Sequence, residues 1–431
     1  MGDAAATGRE ARMIAIDEAR ALVLAECGRL EVERVPAARA PGRVLAEDLC
    51  AQVALPPFDN AAMDGFALAC DGTHLPAGGV WEVAGVQAAG DARAHAVHGA
   101  WRIMTGAALP PGTDTVVPVE QVDVLARGGG GEPERIRLTA DAARGQHVRR
   151  AGEDVGPGMR VLDAGTRVGA VEQMLLAALG VSTVAVRRAP RVALVSTGRE
   201  LVDDPAQPLA PGRIRNSNGP YLAEEFRTRD ADIVLQATIA DDPAHYAEAL
   251  RQAMALGCDL VISTGAVSMG EFDFVPAALD ALQARIVFHK VRIRPGKPLL
   301  FAVLPTGALF FGLPGNPVSA AVGLRFFVDP ALRAMRDQPP ERPLRVPLAV
   351  DVRKKVGLCH LQKARLAADA QGRLGVRPLP GQESFRILPL ARANAWAVLP
   401  EAADVLAAGT MVEVYGQAPG TWRLVEEGCD I

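Results

Sequence analysis

The sequence predicts a multidomain α/β plus β protein, on three observations. Strand and helix patterns alternate through residues 190–336, the pattern of an α/β sandwich with a mainly parallel sheet. Short β runs punctuated by Gly and Pro fill residues 59–148 and again 343–425, which predicts a small β domain on either side. The 431 residues exceed one ordinary domain, and 49% apolar with 22% charged residues is a globular composition. The expected organisation is a central three-layer α/β domain at 189–336, an inserted small β-rich domain at 58–148, a linking helical domain split between 13–57 and 149–188, and a C-terminal β-barrel-like domain at 337–431.

Taken in order, residues 1–12 are polar, lack an apolar signal core and read as a disordered lead-in. Residues 13–28 carry helical periodicity and end at Gly28. Residues 43–58 turn β-like and close on Pro56-Pro57. Within the first β domain, Arg127-Gly-Gly-Gly-Gly-Glu-Pro-Glu134 is a hairpin tip or loop. A helix is expected over 165–180, ending at Gly180. Strands follow at 191–196, 233–240, 259–263, 286–291, 299–303 and 308–312, with helices near 218–230, 243–256, 274–282 and 317–327. Pro339-Pro340 reads as a linker.

Composition excludes several classes. A formal charge of −4 gives no broad attraction to nucleic acid or an anionic membrane. Six cysteines without CxxC spacing argue against a zinc site and a disulfide framework, and fit a reducing cytoplasm. Seven histidines show no HxxxH or HExxH spacing. No stretch approaches the ~20 apolar residues of a membrane span.

Three strand ends carry the chemistry: Val192-Ala-Leu-Val-Ser-Thr-Gly-Arg-Glu200, Asp259-Leu-Val-Ile-Ser-Thr-Gly-Ala-Val-Ser-Met-Gly-Glu-Phe-Asp273, and Leu309-Phe-Phe-Gly-Leu-Pro-Gly-Asn-Pro-Val-Ser319. Each is an apolar run, a tight turn and a helical pattern. That geometry gathers backbone N–H groups and helix N-termini, which suit an anion. Glu200, Glu271 and Asp273 would repel the anion unless a cation lay between, so an anionic substrate handled with a divalent metal is expected. Ser263, Thr264 and Ser268 add hydroxyl donors beside Gly265. Asn316 and Pro317 also make an ordinary helix start, and Asp273 is as readily a helix cap as a metal ligand.

The chain has five lysines, two of them in Lys290-Val-Arg-Ile-Arg-Pro-Gly-Lys-Pro298. A strand there would put Lys290, Arg292 and Arg294 on one face, with Lys297 in the turn. It reads either as a protected edge strand or, given its flanking apolar runs, as an anion clamp. Asp59 and Asp64 flank a small, rigid stretch. Thr105 lies in a Thr-Gly turn, and Arg149-Arg150-Ala-Gly-Glu-Asp154 reads as a surface ion-pair cluster.

Together, Phe58-Asp-Asn-Ala-Ala-Met-Asp-Gly65, Met104-Thr-Gly-Ala107, Arg149-Arg-Ala-Gly-Glu-Asp154, Ser196-Thr-Gly198 with Glu200-Leu201, Asp241-Asp242, Asp273, Pro295-Gly-Lys-Pro298 and Leu313-Pro-Gly-Asn-Pro317 resemble the molybdopterin molybdenumtransferase family, to which gephyrin's C-terminal region belongs. The resemblance runs from about Met13 to Val414. It implies an α/β domain of molybdopterin-binding type in a four-domain, elongated homodimer, with the cleft between that domain of one subunit and the inserted domain of the other. The implied reaction takes adenylylated molybdopterin and molybdate, releases AMP and yields molybdenum cofactor, with Mg²⁺ as the metal. It further implies a cytoplasmic enzyme that binds neither nucleic acid nor membrane, with molybdopterin adenylyltransferase and apo-molybdoenzymes or their chaperones as partners.

By the same resemblance, Asp59, Thr105, Asp154, Glu200, Asp241, Asp273 and Lys290 fall on catalytic positions. Arg149, Thr197, Gly198, Ser263, Gly265, Ser268, Arg294, Lys297, Pro314, Gly315, Asn316 and Ser384 fall on cofactor-binding positions. Glu200, Asp241, Asp242 and Asp273 form the implied metal set, at the strand ends where open α/β sheets bind ligands. Departures are Ala61 for Ser, Arg199 for an acid, Ala266 for Gly, Arg294 for Lys, Lys363 for Arg and Phe385 for Gly. They leave open a divergent or non-catalytic paralogue that binds molybdopterin or its molybdenum cofactor, or that prefers tungstate. The adenylyltransferase activity itself needs only the α/β module, so the long N-terminal region argues against it.

Overall fold

The computed structural model describes residues 13–92, 94, 98–267, 274–422 and 424–426. The expected lead-in at 1–12, Ser268, Glu271 and Asp273 therefore lie outside the described residues. Contacts divide the chain into two compact units, one of Met1–Arg34, Gly42–Ala46 and Ala185–Ile431, the other of Val35–Pro41 and Glu47–Val184.

The first unit is built on a six-stranded sheet. Its order is Asp232–Ile239, Arg191–Thr197, Leu260–Thr264, Leu309–Leu313, Leu300–Val303, Arg285–His289. The first four strands are parallel and the last two join antiparallel. Continuous apolar runs form the central strands because both faces are covered. Val192, Leu194, Ile262 and Phe311 pack on Leu222 and Phe226 of the helix Asn218–Thr228. Ala193, Val195, Val261 and Phe310 face the opposite layer, with Tyr246 and Leu250 of Pro243–Ala255 and Leu279 of Val275–Ala281. The result is the expected three-layer α/β arrangement.

The N-terminal helix, Ile16–Ala25, presents Ala19 and Val23 to the same α/β core. Residues 13–34 thus belong by contact with the α/β domain, whereas the sequence pattern grouped them with 149–188. The i, i+4 stripe says that a helix has a buried face but not which core buries it.

The C-terminal sheet runs Ile293–Arg294, Cys359–Ala368, Ala395–Leu399, Met411–Gly416, Leu344–Pro347, with Leu374–Pro378 and Val425–Glu426 also on Cys359–Ala368. It encloses its own core around Leu366, Val376, Ala397 and Val414. Its first strand corrects the expected basic strand. The α/β edge strand stops at His289, Lys290 sits at φ 84°, and Ile293–Arg294 begins a strand of the other sheet. Arg292 is spent on Glu401, 2.8 Å away. Lys290, Arg292 and Arg294 therefore share no strand face.

His360, 6% exposed, lies beside Arg294 in that sheet, and its Nε2 has no hydrogen-bond partner among the described residues. Burial, then the charges of Lys354 and Arg294, push its pKa down from 6.5 to about 4. A depressed folded pKa means stability that is present above the unfolded value and lost as pH falls toward the folded one. Between pH 6.5 and 4 the protein is expected to lose up to ~3 kcal/mol from this group. Melting curves across that window should show a steeper decline for wild type than for His360→Gln; parallel declines would contradict it.

The second unit carries a six-stranded sheet in the order Val122–Arg127, Pro133–Leu138, Val80–Gln87, Ala100–Ile103, Gly65–Leu68, Thr115–Pro118. Its first two strands form the hairpin expected around Arg127–Glu134. Residues 149–184 contribute one helix, Ala170–Ala178, and short strands, of which Arg160–Leu162 pairs Leu49–Cys50. This segment is more β than the helical linker expected of it. Cys27, Cys50, Cys70, Cys258 and Cys359 are free. Among the described residues, no helix is long and apolar enough to cross a membrane.

Candidate active site

The C-terminal ends of the parallel strands open into a cleft of about 730 Å³. All three strand-end loops reach it: Thr197, Gly198 and Glu200 from the first, Thr264, Gly265 and Ala266 from the second, Gly315, Asn316 and Pro317 from the third. Asp241, from the turn after Asp232–Ile239, joins them. Two glycines make the approach possible. Gly265 has φ 92°, and a Cβ there would stand 2.5 Å from the Thr197 carbonyl oxygen. Gly198 has φ 148°, and its Cβ would meet the Glu200 carboxylate at 2.7 Å. Ala266 holds φ 49°, a left-handed backbone that costs an L-residue about 1–2 kcal/mol and that glycine adopts freely.

Among the described residues, neither Glu200 nor Asp241 has a cationic side chain in ion-pair contact; Asp241 accepts only the Arg199 N–H, at 3.3 Å. Arg199 is exposed, forms no ion pair with Glu200, and its carbonyl accepts from Arg213. Asp242 is placed differently from expectation. Its Oδ1 accepts the N–H groups of Ala244 and His245 at 2.8 and 3.1 Å, capping the helix Pro243–Ala255, and its Oδ2 meets His245 Nδ1 at 3.0 Å. Those main-chain N–H groups hold its carboxyl below the usual carboxylate range. The cleft is not lined by Asp242.

Ser263 is also spent elsewhere. It is fully buried, and its Oγ accepts the Tyr246 hydroxyl at 2.8 Å. Burial pushes the Tyr246 pKa up, so its proton stays on the phenol. Thr197 lines the cleft while donating to the Thr264 carbonyl at 3.1 Å. Asn316 takes the N-cap position without a side-chain cap bond. The first free N–H of its helix, Val318, donates to the Ser384 carbonyl at 3.0 Å, so one expected anion donor is consumed. Ser384 is thereby fixed at the third loop, and its neighbours Phe385 and Ile387 form the cleft's outer wall. Pro314, Lys290, Arg294 and Lys297 are not on that lining. The turn holding Lys297 packs against the helix of the third loop, where a Cβ on Gly296 would lie 3.7 Å from the Ser319 carbonyl oxygen.

Sequence reasoning missed Arg215, Asn216 and Asn218, which line the cleft beside the first loop. Asn216 donates to Asp203 at 2.9 Å and accepts from Gly219 N–H at 2.9 Å. Asn218 donates to the Gly315 carbonyl at 2.8 Å. The sequence signal was there, an Asn-Ser-Asn string ahead of a helix, but it looks like ordinary capping.

In the second unit, the three expected strings converge. Asn60–Ala61 pairs with Val148–Arg149 on one side and, through the Gly106 N–H to the Ala61 carbonyl at 2.8 Å, with the Thr-Gly turn on the other. Asp59 binds Arg150 at 2.7 Å and the Ala151 N–H at 2.8 Å, which shapes the turn that presents Arg149 and Asp154, both exposed. Thr105 donates its N–H and hydroxyl to Asp64 at 2.7 and 2.8 Å, and these bonds hold that carboxyl below its ordinary pKa. Asp64, expected from sequence only to flank a small, rigid stretch, is thus the anchor of Thr105.

An α/β domain with a ligand-sized cleft at its strand ends, flanked by mostly β segments, defines a multidomain ligand-binding protein of the open-sheet class. Family models assign its parts: the MoeA N-terminal region (domain I and II) matches residues 14–180, a probable molybdopterin binding domain matches 193–334, and the MoeA C-terminal region (domain IV) matches 345–416. The chain belongs to the MoeA family. It is 40% identical to a molybdopterin molybdenumtransferase of Synechococcus elongatus over 91% of this chain and 97% of that one. The Haemophilus influenzae molybdopterin molybdenumtransferase is 32% identical over 93% and 98%. A solved molybdopterin biosynthesis moeA protein from Pyrococcus horikoshii superposes with a TM-score of 0.77 at 27% identity, covering 94% of this chain and 99% of that one.

Proposed function

We propose that this protein is a molybdopterin molybdenumtransferase that inserts molybdate into adenylylated molybdopterin and releases AMP. The observation that carries the chemistry is the cleft, where three glycine-bearing loops meet the carboxylates of Glu200 and Asp241, which form no ion pair among the described residues. Full-length similarity to curated transferases supplies the reaction class.

The donor set fits a hard divalent cation. Two carboxylates on one wall would otherwise repel each other and an anionic substrate, and Mg²⁺ prefers a few carboxylates plus phosphate oxygens. Glu200 and Asp241 would hold it, with Asp273 a further expected ligand. Bound there, Mg²⁺ would withdraw charge from a phosphoanhydride. The chain's own residues do the positioning. The backbone around Gly198 and Gly265 brings phosphate oxygens close, Asn216 and Asn218 fix the adjoining wall, and Phe385 and Ile387 cover the outer side against water. Lys290, Arg294 and Lys297 belong to the proposal as the molybdate-side cations, and Asp59, Thr105, Arg149 and Asp154 as further substrate contacts. A cytoplasmic homodimer is part of the same reading, to be checked for its mass by light scattering.

The test combines purified protein, adenylylated molybdopterin, molybdate and Mg²⁺, and measures AMP release together with reconstitution of an apo-molybdoenzyme. Both are expected, and both should fall by about 100-fold or more in Asp241→Ala, as expected when electrostatic stabilisation of the reacting group is removed. Tight pterin binding with no AMP release would point to the binding paralogue. Reconstitution with tungstate in preference to molybdate would reassign the oxyanion.

A further inference from the structure

Arg215 is the one cation among the described residues lining the cleft. It sits at the end of a small ribbon in which Leu201–Val202 pairs with Ile214–Arg215. The ribbon is held from below: Asp203 accepts from Asn216 at 2.9 Å and from Thr238 at 3.0 Å. The Arg215 guanidinium bonds two main-chain carbonyls, of Asp204 and Gln207, each at 2.5 Å. Carbonyls orient a guanidinium without neutralising it. No carboxylate forms an ion pair with Arg215 among the described residues, although its side chain is half-buried. A guanidinium has five N–H donors, and two carbonyls leave donors free. The result is a full positive charge, fixed in direction, on a wall whose other charges are Glu200 and Asp241.

We infer that Arg215 receives a phosphate of the substrate in the cleft, as a binding residue for the nucleotide part. The inference deepens the transferase reading and rests on it for the identity of the nucleotide. A planar, pre-oriented guanidinium suits phosphate better than an ammonium does, because it offers parallel N–H groups to two oxygens. Lys290, Arg294 and Lys297 do not line the cleft, so Arg215 is the side chain placed to offset a phosphate's charge on this wall.

Calorimetric titrations with AMP, adenosine and inorganic pyrophosphate test this on wild type, Arg215→Met and Arg215→Lys. AMP affinity is expected to fall about 10- to 100-fold in Arg215→Met and less in Arg215→Lys, with adenosine affinity changed under about two-fold. A purely structural role in holding the 203–212 loop would weaken AMP and adenosine equally, and that result would overturn the inference. Unchanged AMP and pyrophosphate affinity in Arg215→Met would overturn it too. If pyrophosphate binds in an Arg215-dependent way while AMP does not bind to wild type, the phosphate role stands and the nucleotide reading falls.

Discussion

Asp329→Ala is expected to destabilise the first unit by about 3–5 kcal/mol, because it strips the carboxylate from a buried charge network. Asp329 is 2% exposed and grips Arg229 with both oxygens, at 2.5 and 3.0 Å. Arg229 also meets Glu225; burial works against its charge, and the carboxylates of Asp329 and Glu225 together hold its pKa above the ordinary value. Arg325, 3% exposed, lies 3.7 Å from Asp329, binds Glu341 at 2.8 Å and donates to the Gly416 carbonyl at 2.9 Å. This ties the last helices of the α/β domain to the C-terminal sheet. Removing the anion leaves Arg229, 8% exposed, desolvated and under-paired, with Glu225 as its remaining carboxylate. For a domain-sized cooperative unit the melting temperature should drop by roughly 6 °C or more. Arg251→Ala is the control: its pair with Glu248 is exposed on both sides, at 55% and 69%, and should matter by less than ~1 kcal/mol. Equal small shifts in both variants would refute the argument.

The strand cores were legible in sequence because they are local. Val192–Val195, Leu260–Ile262 and Leu309–Leu313 are apolar on both faces, and only a covered parallel sheet suits that pattern. The three loops were legible for the same reason, since a turn glycine after such a run must sit at a strand end. What was not legible is which partner each polar group takes, and where a single residue's backbone turns the chain. Ser263 closes the expected strand at 259–263 as a hydroxyl donor for a ligand, but the strand runs on to Thr264 and Tyr246 claims its oxygen. Asp242 was grouped with Asp241 by the resemblance, although the helix expected at 243–256 already left it in the cap position it takes. The basic strand failed at Lys290, whose left-handed φ diverts the chain into another sheet. No periodicity argument forecasts that. Arg215 escaped notice because an arginine in a polar stretch resembles any solvated cation.

Lys363→Met should collapse the cleft's outer wall, and with it turnover. Lys363 is fully buried in the C-terminal sheet, and its ammonium donates to the carbonyls of Gly381, Glu383 and Arg386 at 2.7, 3.2 and 3.2 Å. Those three carbonyls bracket the segment carrying Ser384, whose own carbonyl caps Val318, and Phe385, which lines the cleft. Burial lowers the lysine pKa, so the site tolerates the charge only because its three N–H groups each find an oxygen. Methionine fills the space but leaves those carbonyls without donors, at about 1–3 kcal/mol each where no water enters. The segment's cheapest escape is to swing outward and solvate them. AMP release is therefore expected to fall at least ~10-fold, more through kcat than KM, since the loops that bind substrate remain. Lys363→Arg distinguishes charge from shape. Three carbonyls around one nitrogen match an ammonium, and a planar guanidinium of larger volume cannot satisfy them without moving the segment. Arginine should thus leave the rate well below wild type. Full activity in Lys363→Arg would show that charge alone suffices there, and wild-type kinetics in Lys363→Met would show that the wall stands without the lysine.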